Sequence, residues 1–538
     1  MECQVPELDE PRQLVTTLDE LAITDPTRTL YSFARTHDPS DGFRDLNATE
    51  VARAVNRCAW FLHESLGAPQ DKTTITYMGP QDLVYLVLLL ACTKTGHTLF
   101  LSSTRNLLEA HLRLFDETNC QIFLQPPSFP LAIVKQILAA RPMRVVKVAP
   151  LLKWFDDQYD GRDEHYPYTK PYAEAQYDPL VVLHTSGSTG FPKPVVTRQA
   201  TWMHLKHILK LPPQGGRLMF PQMPRGSRIY ITMPFFHAAG LGLGLPMALY
   251  ANCVGVFGPY PPSPDMVHSV LVHGKVDVCI TAPTILVELV RAPRYVEQLT
   301  KLKAVAFGGG PLPRTVGDML SKITDLVNGV GSTEAGFFPQ CPVEAEDWEY
   351  LNYHPIGGHD FRQVSDDLYE HFILKRTELL PFQGVFATFP ELDEWATKDL
   401  YSKHPTKEGL WQHRGRSDDI IVFATGEKLT PLDMEGSIQA NPAVNAAIIT
   451  GRKRFQSSLL VEPATHPTTK AEKEALLDQI WPSVEEANKH SPKHGRVLRN
   501  MIIFCTPEKP APRAGKGTTQ RRKWEEEYAS ELDALYEA

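Results

Sequence analysis

The sequence lacks any apolar run long enough to cross a membrane, and its most apolar window covers residues 83–91. That window is about half of the ~20 residues that a spanning helix needs, and Lys94 follows it closely. We therefore expect a buried helix there and no membrane partner. The N-terminus is acidic and polar, which is not typical of a signal peptide.

The sequence also lacks closely spaced cysteine pairs and a net positive charge. The eight cysteines are scattered without a CxxC pair, and several lie inside apolar runs, which favours buried, reduced thiols and a cytoplasmic location. The formal net charge is −8, so we expect no long-range attraction to nucleic acid and no nucleic-acid partner. The basic clusters at residues 452–454 and 521–523 are short and more typical of a solvated face.

The sequence does contain a regular alternation of patterns. A chain of 538 residues is long enough for two or more packed units. Short apolar runs alternate with helical patterns and turn-rich stretches, which favours an α/β fold with layered, largely parallel sheets. Asn47 and Glu50 resemble a capping box at the start of the first amphipathic helix. The strand-like runs begin at residues 74, 180, 228, 276 and 304.

The pattern changes after about residue 416. Strand-like segments at 445–450, 457–461 and 501–505 surround a charged helix that begins at Lys470, which predicts a separate small α+β domain. The tail places an apolar stripe on one face of a helix. It either caps the small domain or leads into something beyond this chain. The stripe consists of Trp524, Tyr528, Leu532 and Leu535.

The segment most indicative of chemistry is residues 183–194, Leu-His-Thr-Ser-Gly-Ser-Thr-Gly-Phe-Pro-Lys-Pro, directly after a predicted strand. Its glycines allow the backbone to approach an anion closely, its hydroxyls donate hydrogen bonds, and Lys193 adds positive charge, which suits a polyphosphate. No Gly-Lys-Ser/Thr closes the loop, so a Walker A site is disfavoured. Taken alone, a Ser/Gly loop is more often an ordinary polar turn.

This loop resembles the phosphate-binding signature of the adenylate-forming (ANL) superfamily, which includes acyl-CoA synthetases, luciferases and adenylation domains of nonribosomal peptide synthetases. The resemblance covers nearly the whole chain and implies a large N-terminal domain of layered sheets and helices with a small mobile C-terminal α+β domain. Five further segments match the family's motifs in order: the substrate pocket at 235–240, the nucleotide motif at 329–334, the ribose aspartate at 395–399, the hinge at 415–419 and the C-terminal lysine at 512–516.

The resemblance implies ATP and Mg2+ as cofactors. Glu334 would hold Mg2+ carried by ATP, a task that suits a carboxylate. Asp399 would accept the ribose hydroxyls, although the residues before it depart from the family's usual Tyr-x-Thr-Gly-Asp. The residues implied to bind ATP or AMP are Thr185, Ser186, Gly187, Ser188, Thr189, Gly190, Lys193, Asn328, Gly329, Ser332, Thr333, Asp399 and Arg416.

The same resemblance implies the catalytic residues and the hinge. Lys516 would bridge the substrate carboxylate and the α-phosphate, and the other implied catalytic residues are His237, Thr333 and Glu334. Asp418 is the implied hinge, although a surface salt bridge would equally explain Asp418 and Arg416. The implied divisions are an N-terminal core at 1–416, a hinge at 417–419, a C-terminal lid subdomain at 420–520 and a helical tail or linker to a carrier domain at 521–538.

His237 also bears on the identity of the acid. Amino-acid-activating members of the family place an aspartate at the first pocket position, whereas this chain has His237 followed by small residues. An α-amino acid is therefore disfavoured. With Gly309 and Phe337 as further implied pocket residues and Phe235 and Phe236 beside them, we expect a flat, benzoate-like acid, although apolar packing alone would also explain these aromatics.

Residues 184–194, with proline after the lysine, and residues 415–428 look like the fungal nonribosomal-peptide-synthetase-like carboxylic acid reductases. Adenylation, carrier and reductase domains share one chain in that family. The resemblance implies transfer of the acyl group to the phosphopantetheine of a carrier domain, as the first step of carboxylate reduction to an aldehyde. No Rossmann GxGxxG and no carrier serine motif is identifiable, so we expect an adenylation module with its carrier downstream.

Two alternatives stay open. A free-standing aryl- or acyl-CoA ligase shares every motif and differs only in its thiol acceptor. A catalytically inactive relative that acts as a scaffold belongs to another class, and the presence of Thr333, Glu334, Asp399 and Lys516 argues against it. Kinase-like phosphoryl transfer is disfavoured because no kinase lysine-aspartate set is present.

Overall fold

A computed structural model of the chain describes residues 5–69, 73–127, 131–186, 192–365, 367–513 and 519–537. Helices and strands alternate along most of this length, and they assemble into stacked sheets with helices packed against them. The predicted α/β class with layered sheets is confirmed.

Helices occur from near the N-terminus to residue 537. Short 3-10 turns lie between some of them, including the turn Ser417–Asp419. In chain order the helices of the described residues are α1 (Leu14–Thr24), α2 (Ala48–Leu66), α3 (Val84–Thr95), α4 (Leu108–Glu117), α5 (Ala132–Ala140), α6 (Leu151–Trp154), α7 (Tyr172–Ala175), α8 (Gln199–Ile208), α9 (Ala238–Tyr250), α10 (Pro264–His273), α11 (Pro283–Leu289), α12 (Pro293–Leu299), α13 (Arg314–Leu320), α14 (Gly384–Thr388), α15 (Leu432–Gln439), α16 (Lys470–Lys489), α17 (Arg521–Glu527) and α18 (Ala529–Glu537).

The strands are mostly short, and the longest contain seven to ten residues. In chain order the strands of the described residues are β1 (Thr29–Ala34), β2 (Phe43–Asn47), β3 (Thr74–Tyr77), β4 (Thr98–Phe100), β5 (Ile122–Gln125), β6 (Arg144–Lys147), β7 (Pro179–Ser186), β8 (Pro192–Arg198), β9 (Arg228–Ile231), β10 (Val254–Phe257), β11 (Val278–Thr281), β12 (Ala304–Gly308), β13 (Asp325–Gly329), β14 (Gly331–Ser332), β15 (Gly336–Phe337), β16 (Gln340–Cys341), β17 (Tyr350–Tyr353), β18 (His359–Ser365), β19 (Leu368–Leu374), β20 (Glu394–Lys403), β21 (Leu410–Arg416), β22 (Ile421–Val422), β23 (Lys428–Leu429), β24 (Val444–Thr450), β25 (Ser457–Pro463) and β26 (Val497–Phe504).

Two of the sheets are largely parallel, as predicted. Sheet 1 has the strand order β6-β5-β3-β4-β7-β8, and only its edge pair β7 and β8 is antiparallel. Sheet 2 has the order β13-β12-β11-β9-β10-β1-β2, with β1 and β2 as its antiparallel pair. Because parallel strands end at one edge of a sheet, the loops after β9, β11, β12 and β13 meet there.

A third sheet differs from the prediction. Sheet 3 has the order β16-β17-β21-β20-β19-β18, and all of its neighbouring strands are antiparallel. Aromatic side chains pack on it, among them Phe361 stacked on Trp411 with their ring centroids 3.8 Å apart. Strands such as β18 and β20 mix charged and apolar residues and lack the short apolar runs of the parallel strands, so the sequence pattern did not separate them from loops.

The helix predicted around residues 83–91 forms as α3, and every residue of α3 is buried. The capping box predicted before α2 is also present, with Asn47 and Glu50 exchanging side-chain and backbone hydrogen bonds. Within the described ranges, no helix combines the length and the apolar character that crossing a bilayer requires. The described cysteines form no disulfide, and most are buried.

A small three-stranded sheet, β24-β25-β26, follows the large sheets, and it packs against α15 and α16. Its other side is covered by the tail, whose Trp524, Tyr528 and Leu532 form one apolar cluster with residues of β24 and β25 such as Ile448 and Leu460. The tail thus packs on the small sheet, and both of its predicted roles stay predictions. The exact domain boundaries stay predictions.

Candidate functional site

The predicted phosphate segment connects β7 to β8 at the edge of sheet 1. Thr185 pairs with Lys193 across this antiparallel hairpin, and Ser186 pairs with Pro192. Gly187, Ser188, Thr189 and Gly190 lie outside the described residues. The described ends of the segment thus bring strand β7, with its Thr185, next to Lys193.

His184 fixes the strand that leads into this turn. Its Nε2 accepts hydrogen bonds from the Ser103 backbone N–H at 2.9 Å and from the Asn106 amide at 3.2 Å. Burial lowers the pKa of His184 to about 4, so the imidazole stays neutral and can accept both bonds. The sequence interpretation gave His184 no role, because a histidine inside an apolar strand carries no signal of its partners.

The carboxyl edge of sheet 2 forms a second wall. Gly308 pairs with Gly329, and a side chain on Gly308 would place its Cβ only 2.4 Å from the Gly329 carbonyl oxygen. Gly309 follows with φ of 82°, a left-handed conformation that favours glycine. Asn328 lies one residue before Gly329 at the same edge. Glycine at both strand ends therefore allows the two backbones to approach closely at this edge.

His237 lies at the same edge and caps α9. Its Nδ1 accepts a hydrogen bond from the Ala239 backbone N–H at 3.2 Å, so in the neutral ring Nε2 carries the proton. Phe235 and Phe236, by contrast, are 4% exposed and belong to the hydrophobic core. The half-buried Phe337 lies beside this edge, with its ring near Gly329, and Phe235 lines a cleft with the residues that follow β9.

A tight hairpin of β14 and β15 carries the predicted nucleotide motif. Thr333 and Glu334 lie in its turn, where the Ser332 hydroxyl accepts a hydrogen bond from the Ala335 backbone N–H at 3.1 Å. His204 on α8 contacts the hairpin, because its Nε2 is 2.9 Å from the Phe337 carbonyl oxygen on β15. This contact of His204 with the motif was not predicted, because a histidine on a helix gives no sequence signal of a partner that is distant in the chain.

Asp399 is placed by sheet 3. It pairs with Arg416 across β20 and β21, and its carboxylate lies 3.5 Å from His413 Nε2. Burial alone would raise the pKa of Asp399, but the contact with His413 and the charge of Arg416 outweigh it and lower the pKa below its ordinary value. Asp399 is therefore an ionised acceptor, which suits a pair of ribose hydroxyls.

The departure from the family pattern before Asp399 preserves the backbone geometry. Lys398 stands where the family has glycine, and its φ is 64°. The Asp399 backbone N–H donates to the Thr397 hydroxyl at 3.0 Å, and that hydroxyl donates to the His371 carbonyl oxygen at 2.9 Å. Thr397 thus holds the turn that aims the Asp399 carboxylate.

The turn that carries Glu334 and the strands that carry Asp399 and Arg416 interact electrostatically. Burial raises the pKa of Glu334, the negative charge of Asp399 raises it further, and the Ser332 hydroxyl and the charge of Arg416 oppose the shift. Glu334, Asp399 and Arg416 are thus close enough to influence one another. No cluster of three histidine, cysteine or acidic ligands occurs in the described part of the chain.

The predicted hinge residue Asp418 lies next to Arg416 of this site. The Asp418 carboxylate lies 3.7 Å from Arg416 and 3.9 Å from the Lys398 ammonium. Lys516 lies outside the described residues, but both ends of its loop are fixed. Arg513 bridges to Thr519, and its guanidinium pairs with the Glu462 carboxylate on β25.

Sequence comparison agrees with this geometry. The pattern of the family described as AMP-binding enzyme matches residues 19–366, and that of the AMP-binding enzyme C-terminal domain matches residues 418–538. A carboxylic acid reductase of Neurospora crassa is 39% identical, over 98% of this chain and 51% of its own length. The isocyanide synthase-NRPS hybrid crmA of Aspergillus fumigatus is 32% identical, over 96% of this chain and 33% of its own length.

The chain thus spans about half, or less, of the length of these curated relatives. A solved structure of the anthranilate CoA ligase AuaEII in complex with anthranoyl-AMP has the same fold, with a TM-score of 0.71, 16% identity and coverage of 99% of this chain and 100% of that one. The family match extends over well more than half of the residues. The chain therefore belongs to the AMP-binding enzymes, the adenylate-forming ligases that use ATP to activate an acid.

Proposed function

We propose that this chain activates an aryl, benzoate-like carboxylic acid as its acyl-AMP and passes the acyl group to the phosphopantetheine thiol of a carrier domain. In this proposal the transfer is the first step of reduction of the acid to an aldehyde. The observation that carries the proposal is the convergence of Asp399, Arg416 and Glu334 beside the glycine edge of sheet 2. The reductase part rests on the name of the Neurospora crassa relative.

In the first half-reaction a carboxylate oxygen attacks the α-phosphorus of ATP, and the bond from that phosphorus to the bridging oxygen of pyrophosphate breaks. The ionised Asp399 holds the ribose, so that the α-phosphate lies near Thr333 at the turn of the β14–β15 hairpin. Lys516 and the loop between Thr185 and Lys193 stabilise the charge that develops on the phosphate oxygens. Mg2+, held by Glu334 and ATP, would neutralise part of that charge.

In the second half-reaction the thiolate sulfur attacks the acyl carbon, and AMP leaves with the bonding electrons. The small domain rotates about Asp418, which withdraws Lys516 and brings the β22–β23 hairpin around Gly426 to the thiol. The contacts of Asp418 with Lys398 and Arg416 are long and partly exposed, so breaking them costs little. One site then serves two reactions through domain rotation.

The proposed acid is flat and carries no α-ammonium group. The α9 cap is His237, where a carboxylate would be needed to bind a substrate ammonium, and Phe337 offers one aromatic wall beside Gly329. The anthranoyl-AMP in the AuaEII structure is an adenylate of an aryl acid, which supports the same class here. The alternative of a free-standing CoA ligase differs only in the thiol acceptor.

Substrate-dependent ATP-pyrophosphate exchange tests the first half, with a panel of benzoic, cinnamic, aliphatic and amino acids. We expect exchange with aryl acids and its loss in Lys516→Ala. Thioester formation on a holo-carrier domain and on free coenzyme A then separates the carrier-dependent enzyme from a CoA ligase. No exchange with any acid, in a folded protein that binds ATP, would support the inactive-scaffold alternative.

A further inference from the structure

Gln340 on β16 is a buried residue whose side-chain amide is bonded to the backbone of the predicted nucleotide motif. Its Nε2 donates to the Asn328 carbonyl oxygen at 3.1 Å, and its Oε1 accepts from the Val330 backbone N–H at 3.2 Å. Gln340 is only 7% exposed, so a backbone group that lost its bond here would have little access to water. The two bonds flank Gly329, one of the residues implied to bind ATP.

These two bonds follow the pattern of a parallel β-ladder. In such a ladder, one residue donates its N–H to the carbonyl that precedes the residue opposite, and its own carbonyl accepts from the N–H that follows it. Gln340 makes this pair of bonds opposite Gly329 with its side chain. Among the strands of the described ranges, β13 lies at the edge of sheet 2 and pairs with β12. The Gln340 amide therefore takes the place of one residue of a further strand, where the chain leaves the sheet toward the β14–β15 hairpin.

Gln340 itself belongs to sheet 3, the sheet that carries Asp399. It pairs with Tyr353 of β17. The Tyr353 hydroxyl lies 2.6 Å from the Tyr401 hydroxyl, and both residues are buried. Tyr401 follows Asp399 by two residues on β20. A short series of contacts thus connects Gly329 in sheet 2 with Asp399 in sheet 3.

A nucleotide bound as proposed would contact both sheets. The ribose acceptor Asp399 lies on sheet 3, whereas Asn328 and Gly329 end a strand of sheet 2. The hairpin turn that carries Glu334 follows this strand end, and Glu334 interacts electrostatically with Asp399. A ligand that reaches both sheets binds more tightly when their separation is already correct in the free protein, because the complex then needs no rearrangement.

The far strand of the hairpin is fixed independently of Gln340. The ring of His204 contacts the Phe337 carbonyl, and a Cβ on Gly336 would lie 2.4 Å from the same ring. Loss of the Gln340 amide should therefore release residues 328–330 and leave the rest of the hairpin in place. The expected effect is confined to the edge of sheet 2.

We propose that Gln340 is a positioning residue for ATP, and that it sets the separation between the Gly329 end of sheet 2 and Asp399 on sheet 3. Gln340 acts through the backbone of residues 328–330 rather than through contact with the nucleotide. This inference rests on the proposed place of Gly329 and Asp399 in the nucleotide site. It does not depend on the acid or on the thiol acceptor, so direct titration of the whole chain with MgATP tests it.

The test compares two buried glutamines. Gln340→Met keeps the length of the side chain and removes both hydrogen bonds. The matched control is Gln13→Met, because Gln13 is also buried. The Gln13 amide likewise makes two bonds, as donor to the Lys170 carbonyl at 2.8 Å and as acceptor from the Tyr168 hydroxyl at 2.5 Å. None of these partners is a predicted site residue.

We expect Gln340→Met to weaken ATP binding about tenfold. In pyrophosphate exchange the KM for ATP should rise by the same factor, with kcat at saturating ATP changed by no more than about twofold. Gln13→Met should lose comparable stability in chemical denaturation and keep the wild-type affinity for ATP. Wild-type affinity in Gln340→Met, or a loss that Gln13→Met shares equally, would overturn the positioning role.

Tyr353→Phe keeps the test decisive if Gln340→Met does not fold. It removes the hydroxyl contact with Tyr401 and retains the ring, and it should weaken ATP binding about threefold. Wild-type affinity in folded Tyr353→Phe would overturn the proposal that Gln340 acts on the separation from Asp399. ATP binding that depends on Gln340, in a protein that shows no exchange with any acid, would overturn the proposed function and support the positioning role.

Discussion

The Lys398 ammonium lies 3.9 Å from the Asp418 carboxylate, and Lys398 adopts a φ of 64°. Lys398 precedes Asp399 directly and occupies the position at which the family's Tyr-x-Thr-Gly-Asp motif has glycine. A lysine in this left-handed region is strained by about 1 kcal/mol. The strain lies where β20 approaches the turn Ser417–Asp419, so it can be relieved without changing the Asp399 or the Asp418 carboxylate.

Lys398→Gly should raise the free energy of unfolding by up to about 1 kcal/mol, because it removes the strain while chain entropy offsets part of the gain. Lys398→Gln keeps the strained backbone and loses only a half-exposed ion pair, so its stability should match that of the wild type. Chemical denaturation measures both. A Lys398→Gly protein less stable than Lys398→Gln would contradict a strained backbone at this position.

Asp399→Asn should raise the KM for ATP by about 10- to 100-fold, because the amide replaces an ionised acceptor that the site positions against the ribose. Asp393→Asn is the matched control, since Asp393 is an exposed carboxylate just before the same strand. Pyrophosphate exchange at varied ATP concentration measures the effect. Equal KM values for the two variants would remove Asp399 from the nucleotide site.

The sequence predicted those parts of the site that depend on local patterns. The strand before Thr185 was predicted from its short apolar run, whereas Gly309 and Gly329 were implied by the resemblance to the family's motifs. The pairing of Asp399 with Arg416 could not be predicted from the sequence, because it depends on the register of β20 and β21 in sheet 3. His184, His204 and His413 act through partners distant in sequence, and single-sequence patterns contain no information about such contacts.

A pair of histidines behind Asp399 should make the fold acid-sensitive. His359 Nδ1 lies 2.9 Å from His371 Nε2, and the two remaining ring nitrogens are buried without a partner in the described residues. Burial lowers the pKa of His371 from 6.5 to about 4 and also lowers that of His359. The folded state thus binds fewer protons than the unfolded state below pH 6.5, so stability is lost as the pH falls from there toward 4.

Each of these histidines should contribute a slope of up to about 1.4 kcal/mol per pH unit in that window. Replacing both with leucine removes the two unpartnered nitrogens, so the slope of unfolding free energy against pH should become shallower. The exposed His165→Gln is the control and should leave the slope unchanged. An unaltered slope in the double variant would show that other buried histidines account for the acid sensitivity.

Glu334→Gln should lower kcat for pyrophosphate exchange by about 100-fold and raise the Mg2+ concentration needed for half-maximal rate, because a neutral amide is a poorer ligand for a hard cation. Burial and Asp399 raise the pKa of Glu334, so the wild-type rate should also fall as the carboxyl becomes protonated at acid pH. The control is Glu344→Gln, because Glu344 is an exposed carboxylate a little further along the chain. A Mg2+ dependence shared by both variants would argue against Glu334 as a metal ligand.

Glu462 should help to position the segment that contains Lys516, although Glu462 itself does not contact substrate. Its carboxylate accepts the Ala511 backbone N–H at 3.0 Å and pairs with Arg513, while Arg513 Nη1 donates to the Thr519 hydroxyl at 3.1 Å. These contacts fix both ends of the segment that contains Lys516. Loss of the anchor lowers the fraction of molecules with Lys516 in place, which acts on adenylation but not on ATP binding.

Glu462→Gln should therefore lower kcat for acyl-AMP formation about tenfold with little change in the KM for ATP. Lys516→Ala should abolish that reaction, and combining the two should add no further loss, because both act on one lysine. Thioester formation from preformed acyl-AMP should survive in both single variants, since the rotated small domain no longer uses Lys516. A Glu462→Gln enzyme that loses the two half-reactions equally would mean that Glu462 maintains the small domain as a whole rather than the position of its lysine loop.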